Sequence, residues 1–279
     1  MFSLFAEQRY EFFEISGESP ETFLTFVNEI ALPTCENCSL SKRNRVLLFF
    51  IWLRTYPTYR MLSVLFNVSV SSVKDFILDS INVFDLHLSR YIRWLTLEEW
   101  ERLRGNWPYM DVAVGAIDGT SHEIYKPKEH QEMYYSGHRK FHCLHSQVII
   151  DNTGMISHVE SGHQNDAQHY RLMTRIPDEL PFPDTCFLLG DKIYPNGFPI
   201  LTPYSAPQLR RRQGDDRRCC RRFNRYHRKY RALVEHAIGQ LKVYKCVNAI
   251  WRHKRTRLPR VLRICAALVC RRKVIELIM

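Results

Sequence analysis

The sequence predicts a mixed α/β domain built on one sheet and preceded by an all-helical segment. Three observations lead there. Residues 1–100 carry helical periodicity, 110–205 alternate strands with turns, and from about 215 the pattern returns to helix. The middle part runs as mostly antiparallel strands and then a helix leading back to a strand, the order of a mixed sheet flanked by helices. Gly105-Asn106-Trp107-Pro108 interrupts the helical pattern, which sets a domain boundary dividing the chain into 1–105 and 106–279.

In the first part, Lys42–Leu53 reads as a helix that turns from amphipathic to buried. Its apolar run, Val46 to Leu53, is eight residues long and bracketed by Arg45 and Arg54. A membrane span needs about 20 such residues, so no membrane partner is expected. The start, Met1 to Arg9, has no basic stretch followed by a long apolar run, and the chain reads as soluble and intracellular. A second helix runs from about Pro57 to Phe66, with Met61, Leu62, Leu65 and Phe66 as its apolar face. Asn67-Val68-Ser69-Val70 follows as a turn, where Asn67 can adopt a left-handed conformation and Ser69 can cap the next helix. That third helix, Ser71 to about Phe84, puts Val73, Ile77, Ile81 and Phe84 on one face and leaves Ser71, Ser72, Lys74 and Asp75 exposed at its start. The pattern is that of a helix-turn-helix. A generic helical bundle fits the periodicity equally well.

The middle part opens with the apolar strand Met110–Ile117, ending at Asp118-Gly119-Thr120. Phe141–Ile150 is a second strand, turning at Asp151–Gly154 into its neighbour Ile156–Val159. A helix is expected over Asp166–Ile176, with Asp166 as its N-cap or as an outer acid of a site. Thr185–Leu189 is a buried strand ending at Gly190-Asp191. Asp118 and Asp191 thus each follow an apolar strand, and in an open α/β sheet ligands bind beyond the carboxyl ends of the strands. If the strands are neighbours, the two carboxylates face each other and repel unless a proton or a divalent cation lies between them. Oxygen donors without a matching His/Cys set favour magnesium or manganese. Singly, either aspartate reads as a turn former. The eight histidines from His122 to His169 lack a ligand spacing and read as structural or phosphate-facing.

The last part contains a helix over Phe223–Tyr244, with Phe223, Tyr226, Tyr230, Leu233, Ala237, Leu241 and Tyr244 as its buried stripe. Glu235 lies on the other face, with Arg231 four residues before it and Gly239 four after. It is either half of a surface ion pair or a third acid for the crevice, with its basic neighbours on phosphates. Composition does not choose. The charge is distinctive: net +9 from Arg210 to Arg231 and net +11 from Lys242 to Lys273, against +11 for the whole chain. Such asymmetry marks a polyanion-binding surface, nucleic acid or anionic membrane. Nine cysteines, scattered from Cys35 to Cys270, read as reduced thiols. Cys35 and Cys38 have the spacing of half a zinc site, but no second pair matches and they read as loop cysteines.

Ala116-Ile-Asp118-Gly-Thr, Leu188-Leu-Gly-Asp191-Lys-Ile-Tyr-Pro195 and Arg231-Ala-Leu-Val-Glu235-His-Ala-Ile-Gly239-Gln-Leu-Lys242 strongly resemble the DDE transposases of the PIF/Harbinger type. Tyr135–Lys140, Gly162–Asp166 and Ile200–Tyr204 resemble further blocks of that family in the same order, so the likeness covers roughly residues 45–245. It implies a ribonuclease-H-like fold preceded by a helix-turn-helix, with Asp118, Asp191 and Glu235 as the catalytic and metal-binding triad. Two Mg²⁺ (or Mn²⁺) ions per site would activate the attacking water or 3′-hydroxyl and the leaving oxygen. The implied activity is phosphodiester cleavage at transposon ends and strand transfer, in the nucleus. The implied partners are double-stranded DNA, a Myb-like DNA-binding protein and further copies of the chain. On DNA, Ser71, Ser72 and Lys74 would meet the duplex, while Arg228, Arg231 and Lys242 would hold phosphates near the site. Asn67 stands where the turn often has Gly, and the tail after about Val261 does not match. Two alternatives stand beside this: a domesticated DNA-binding protein without transposition, and a phosphohydrolase of small esters, which the basic runs count against.

Overall fold

The computed structural model describes residue 2 and residues 7–32, 40–163 and 180–278. Cys35, Cys38 and the helix expected from Asp166 lie outside these. The N-terminal part is helical: α1 (Arg9–Ser16), α2 (Pro20–Glu29), α3 (Lys42–Thr55), α4 (Tyr59–Phe66), α5 (Val70–Leu88) and α6 (Leu97–Arg102). Ser19, Ser41, Thr58, Ser69 and Thr96 each cap a helix by accepting a backbone N–H in its first turn. Each cap satisfies one donor that the helix start cannot. α3 is buried on all sides from Arg45 to Leu53, which is why its sequence shows no apolar stripe.

α4 and α5 cross at 103°, within the range of helix-turn-helix pairs. Asn67 takes the left-handed conformation at φ 51°, and the Ser69 hydroxyl accepts the Ser72 N–H at 3.0 Å. The expected apolar face of α4 needs one correction. Leu62 and Phe66 are buried, but Met61 points outward, 63% exposed, because this two-turn helix packs along a narrow stripe. α5 runs one turn further than expected and adds Phe76 and Leu88 to the buried face.

The sheet contains β1 (Ala113–Glu123), β2 (Tyr135–Ser136), β3 (Phe141–Asp151), β4 (Ile156–His163), β5 (Phe187–Leu189) and β6 (Ile200–Leu201), with the short helix α7 (Gln131–Tyr134) before β2. β3 lies between β1 and β4, antiparallel to both. On the far side of β1, β5 and β6 are added parallel. This is the ribonuclease-H-like arrangement, with β2 pairing on the start of β3. The chain then forms α8 (Ala206–Arg210), α9 (Gly214–Lys242), α10 (Lys245–Asn248) and α11 (Leu258–Ile278). α9 begins nine residues earlier than its apolar stripe indicates. Asp215 and Asp216 favour its N-terminal dipole and pair with Arg218 and Arg212.

α11 packs against β4 on one side and α5 on the other, and is buried from Val261 to Arg271 apart from Arg263. Its basic residues narrow the expectation of a polyanion surface over Lys242–Lys273, since those on α11 have partners within the fold. Arg263 grips the Asp85 carboxylate at 3.0 and 2.6 Å, and Arg260 donates to Asn82 at 2.8 Å. Arg271 lies 3.9 Å from Glu29 and over the Phe26 ring. Arg272 donates to the Gly17 carbonyl at 2.9 Å, and Lys273 to the Gly154 carbonyl at 2.5 Å. Before the helix, Arg252 donates to the Tyr56 and Pro57 carbonyls at the end of α3. These charges join the helical part to the sheet. The described cysteines are free thiols, as expected.

Two histidines pack into this framework, His122 buried and His253 half-buried. On β1, His122 donates from Nδ1 to the Val247 carbonyl at 2.7 Å, and burial pushes it down to about 4. His253 packs among Trp52, Tyr56, Tyr59 and Trp251 and is likewise pushed down to about 4, chiefly by burial. Both are neutral in the fold, whereas the unfolded chain takes up protons below about pH 6.5. Their contribution is complete above that pH and is lost as pH falls towards 4. The thermal midpoint is therefore expected to drop steeply from pH 6.5 to 4, with about 3 kcal/mol traceable to His122. His122→Gln should flatten that slope.

Candidate active site

β1 and β5 pair in parallel with Ala116 opposite Leu189. Asp118 and Asp191 lie two residues beyond these partners on their own chains, so equivalent positions at adjacent strand ends both carry a carboxylate. Gly190 makes the approach of β6 possible, since a Cβ there would lie 2.6 Å from Ile200. Each aspartate accepts the next backbone N–H, Asp118 from Gly119 at 2.8 Å and Asp191 from Lys192 at 2.7 Å. These bonds orient the carboxylates and leave their other oxygens for the crevice.

The third acid comes from α9, which crosses β1. The Gly105–Pro108 segment and the residue after it hold this helix: Trp107 stacks on Tyr230 at 4.8 Å, and Tyr109 on Tyr226 at 4.5 Å. The Tyr230 hydroxyl also donates to the Pro108 carbonyl at 3.3 Å. With Tyr230, Val234, Ala237 and Leu241 buried, the opposite side of α9 presents Arg228, Arg231 and Glu235.

Arg231 joins the two elements. Its guanidinium reaches Asp118 at 3.3 Å and Glu235 at 2.5 Å. Arg231 is 17% exposed at the side chain, so its charge faces the carboxylates instead of bulk water. Asp118 is held above the ordinary carboxylate range, chiefly by burial, with Glu235 and Asp191 adding to the effect. The Gly119 N–H and Arg231 oppose it. Negative charge is thus concentrated here and only partly compensated.

Lys242 is the last residue of α9, two helix turns past Glu235. Burial and Arg139 lower its amine, while Asp118 raises it. Arg139, in the hairpin between β2 and β3, is the residue that sequence reasoning missed; the only signal was its place in the Tyr135–Lys140 block. Arg228 lines a cleft beside Asp191 and Arg231. Ser71, Ser72 and Lys74 sit apart from the carboxylates, at the start of α5.

Asp118, Asp191 and Glu235 each offer hard oxygen donors, the class that suits a divalent cation. Among the described residues no group of three acidic, His or Cys side chains is already drawn together as a metal cage. Binding a cation would require Arg231 to give up its bonds to Asp118 and Glu235.

A sheet of this topology with acids at its parallel strand ends and on a crossing helix defines a nuclease-type fold. Residues 117–269 match the sequence model of the DDE superfamily endonuclease domain, more than half of the chain, and the chain belongs to that family. Residues 38–90 match the helix-turn-helix of DDE superfamily endonucleases, which resolves the choice between that motif and a generic bundle. No curated protein and no solved structure matches the chain.

Gly239, one turn past Glu235, is exposed, and a Cβ there would meet nothing within 4 Å. Glycine inside a helix costs about 0.8–1.0 kcal/mol relative to alanine. Gly239→Ala is expected to raise the thermal midpoint by about 2–4 °C. An unchanged or lower midpoint in a melting experiment would show that the position is constrained in the free protein.

Proposed function

We propose that this chain is a transposase of the PIF/Harbinger type that cuts DNA at the ends of its element and joins the freed end to a target. The observation that carries the reading is the matched position of Asp118 and Asp191 on parallel neighbours, with Glu235 tied to Asp118 through Arg231. Asp118, Asp191 and Glu235 would hold Mg²⁺ or Mn²⁺. When bound, the ions supply Lewis-acid activation of the attacking and leaving oxygens.

The residues divide the remaining work. Gly119 and Lys192 fix the two aspartates, so the strand ends form the rigid side of the site. Glu235 is half-exposed on α9 and is the adjustable side. Arg231, once it leaves the acids, has a guanidinium to offer a phosphate oxygen, alongside Arg228, Lys242 and Arg139. Water attacks the scissile phosphorus, the 3′-oxygen leaves as a hydroxyl, and the phosphate stays on the 5′ end. In strand transfer that 3′-hydroxyl replaces water. Neither step bonds the enzyme to DNA.

The helix-turn-helix supports duplex binding through Ser71, Ser72 and Lys74. Assembly of several copies on DNA, a Myb-like partner and a nuclear site of action belong to the same proposal. Asp118→Ala, Asp191→Ala and Glu235→Ala should each reduce DNA cleavage with Mg²⁺ or Mn²⁺ by more than about a hundredfold, beyond the cost of losing an outer partner of a metal site. Circular dichroism should show the fold retained. Cleavage surviving in any folded variant removes that residue from the triad, and DNA binding with no cleavage by the wild type favours the domesticated alternative.

Lys74→Ala in the full chain should weaken duplex binding by less than about tenfold, and by less still as salt rises, since one phosphate contact is lost. A salt titration showing no difference from wild type would make α5 a scaffold.

A further inference from the structure

A cleft of about 380 Å³ opens beside Asp191, between α9 and the segment that follows β6. One wall is a stripe of α9: Arg221, Arg225 and Arg228, at helical spacing, all exposed. None of the three forms an ion pair among the described residues, whereas their neighbours Arg212 and Arg218 are neutralised by Asp216 and Asp215. The other wall is apolar, from Pro203 and Leu209.

The walls are fixed in place. Asn224 accepts the Tyr204 N–H at 2.8 Å and donates to the Tyr204 carbonyl at 2.9 Å. One helix turn on, the His227 ring bonds the Leu201 carbonyl at 3.1 Å, with Nε2 as donor. Arg212 covers the Tyr204 ring at 4.9 Å. The segment opposite α9 is therefore pinned at several points before any ligand arrives.

We infer that this cleft takes one unpaired nucleotide of a DNA strand, adjacent to the phosphate that Asp191 serves. The inference rests on the reading of Asp191 given above. Its volume lies at the small-ligand end of binding pockets, roughly 300–1,000 Å³, which suits a single nucleotide and excludes a duplex. Pro203 and Leu209 offer the base or sugar an apolar surface. The three arginines offer bidentate contacts to the flanking phosphates and planar cations to stack on the base. The Asn224 amide, engaged with Tyr204, is not free to read a base edge. Recognition is of an unpaired strand, independent of sequence.

The test uses the full chain and a labelled oligothymidylate, with a duplex of equal length for comparison, read by fluorescence anisotropy. Leu209→Trp fills the cleft and leaves every arginine in place. It should weaken single-strand binding by about tenfold or more and leave duplex binding within about twofold. Arg225→Gln should lower the salt slope for the single strand by about 0.7. Oligodeoxyadenylate should bind as oligothymidylate does. Free thymidine monophosphate at the same nucleotide concentration should leave the oligonucleotide bound. If Leu209→Trp and Arg225→Gln both bind the single strand as wild type does, or if the free nucleotide displaces it, the inference is overturned. Single-strand binding that survives Asp118→Asn but falls in Leu209→Trp supports the cleft even where the cleavage assays fail. Cleavage intact with the cleft variants silent overturns the cleft alone.

Discussion

The parallel pairing of β1 with β5 constrains the rest of the site. β5 is only three residues long, so its placement depends on backbone bonds to β1 and β6 and on the missing side chain at Gly190. Once Ala116 faces Leu189, the acids two residues further along share one end of the sheet. That end carries more negative charge than a half-buried surface can easily hold. Burial chiefly raises the carboxyl of Asp118, and the neighbouring acids Glu235 and Asp191 add to it. The negative charge draws in a cation, and in the free protein the cation is the guanidinium of Arg231. α9, which carries Arg231, is held in place by the stacks of Trp107 on Tyr230 and Tyr109 on Tyr226.

Much of this was legible in the sequence because the signals were local. Asn67 and Ser69 define a turn and a cap over four residues, and both behave as their chemistry predicts. The apolar strands before Asp118 and Asp191 were plain from composition, and their adjacency was the stated condition for a shared site. Non-local information was out of reach. Glu235 could be a surface residue paired with Arg231 or a third acid; the structure shows an ion pair that also reaches Asp118, 113 residues away in sequence. The basic residues around α11 were misread for the same reason. A charge count registers Arg263 as free, whereas its partner Asp85 lies 178 residues earlier. Met61 shows a different limit, since periodicity marks an apolar residue without showing how wide a stripe its neighbour covers.

The basic stripe of α9 and the basic segment of α11 consequently do different things. Around α9, Arg221, Arg225 and Arg228 remain available to an external anion. Around α11, arginines cap α3, bind carboxylates of the helical part and cover the Phe26 ring. Similar composition thus supports a ligand surface in one place and an internal joint in the other. The difference lies in whether acidic partners or carbonyl groups are within reach.

The joint made by α11 has a consequence for how the protein comes into being. Its buried face completes a core shared with α5 and β4, elements that leave the ribosome much earlier. Contacts so distant along the chain are slow to form and must wait for the later partner. Until α11 emerges, the helix-turn-helix and the sheet lack the piece that holds them together. A truncated or still-growing chain would present the helix-turn-helix without the helix that ties it to the sheet. The order of synthesis thereby delays the docking of the helical part on the sheet until α11 is made.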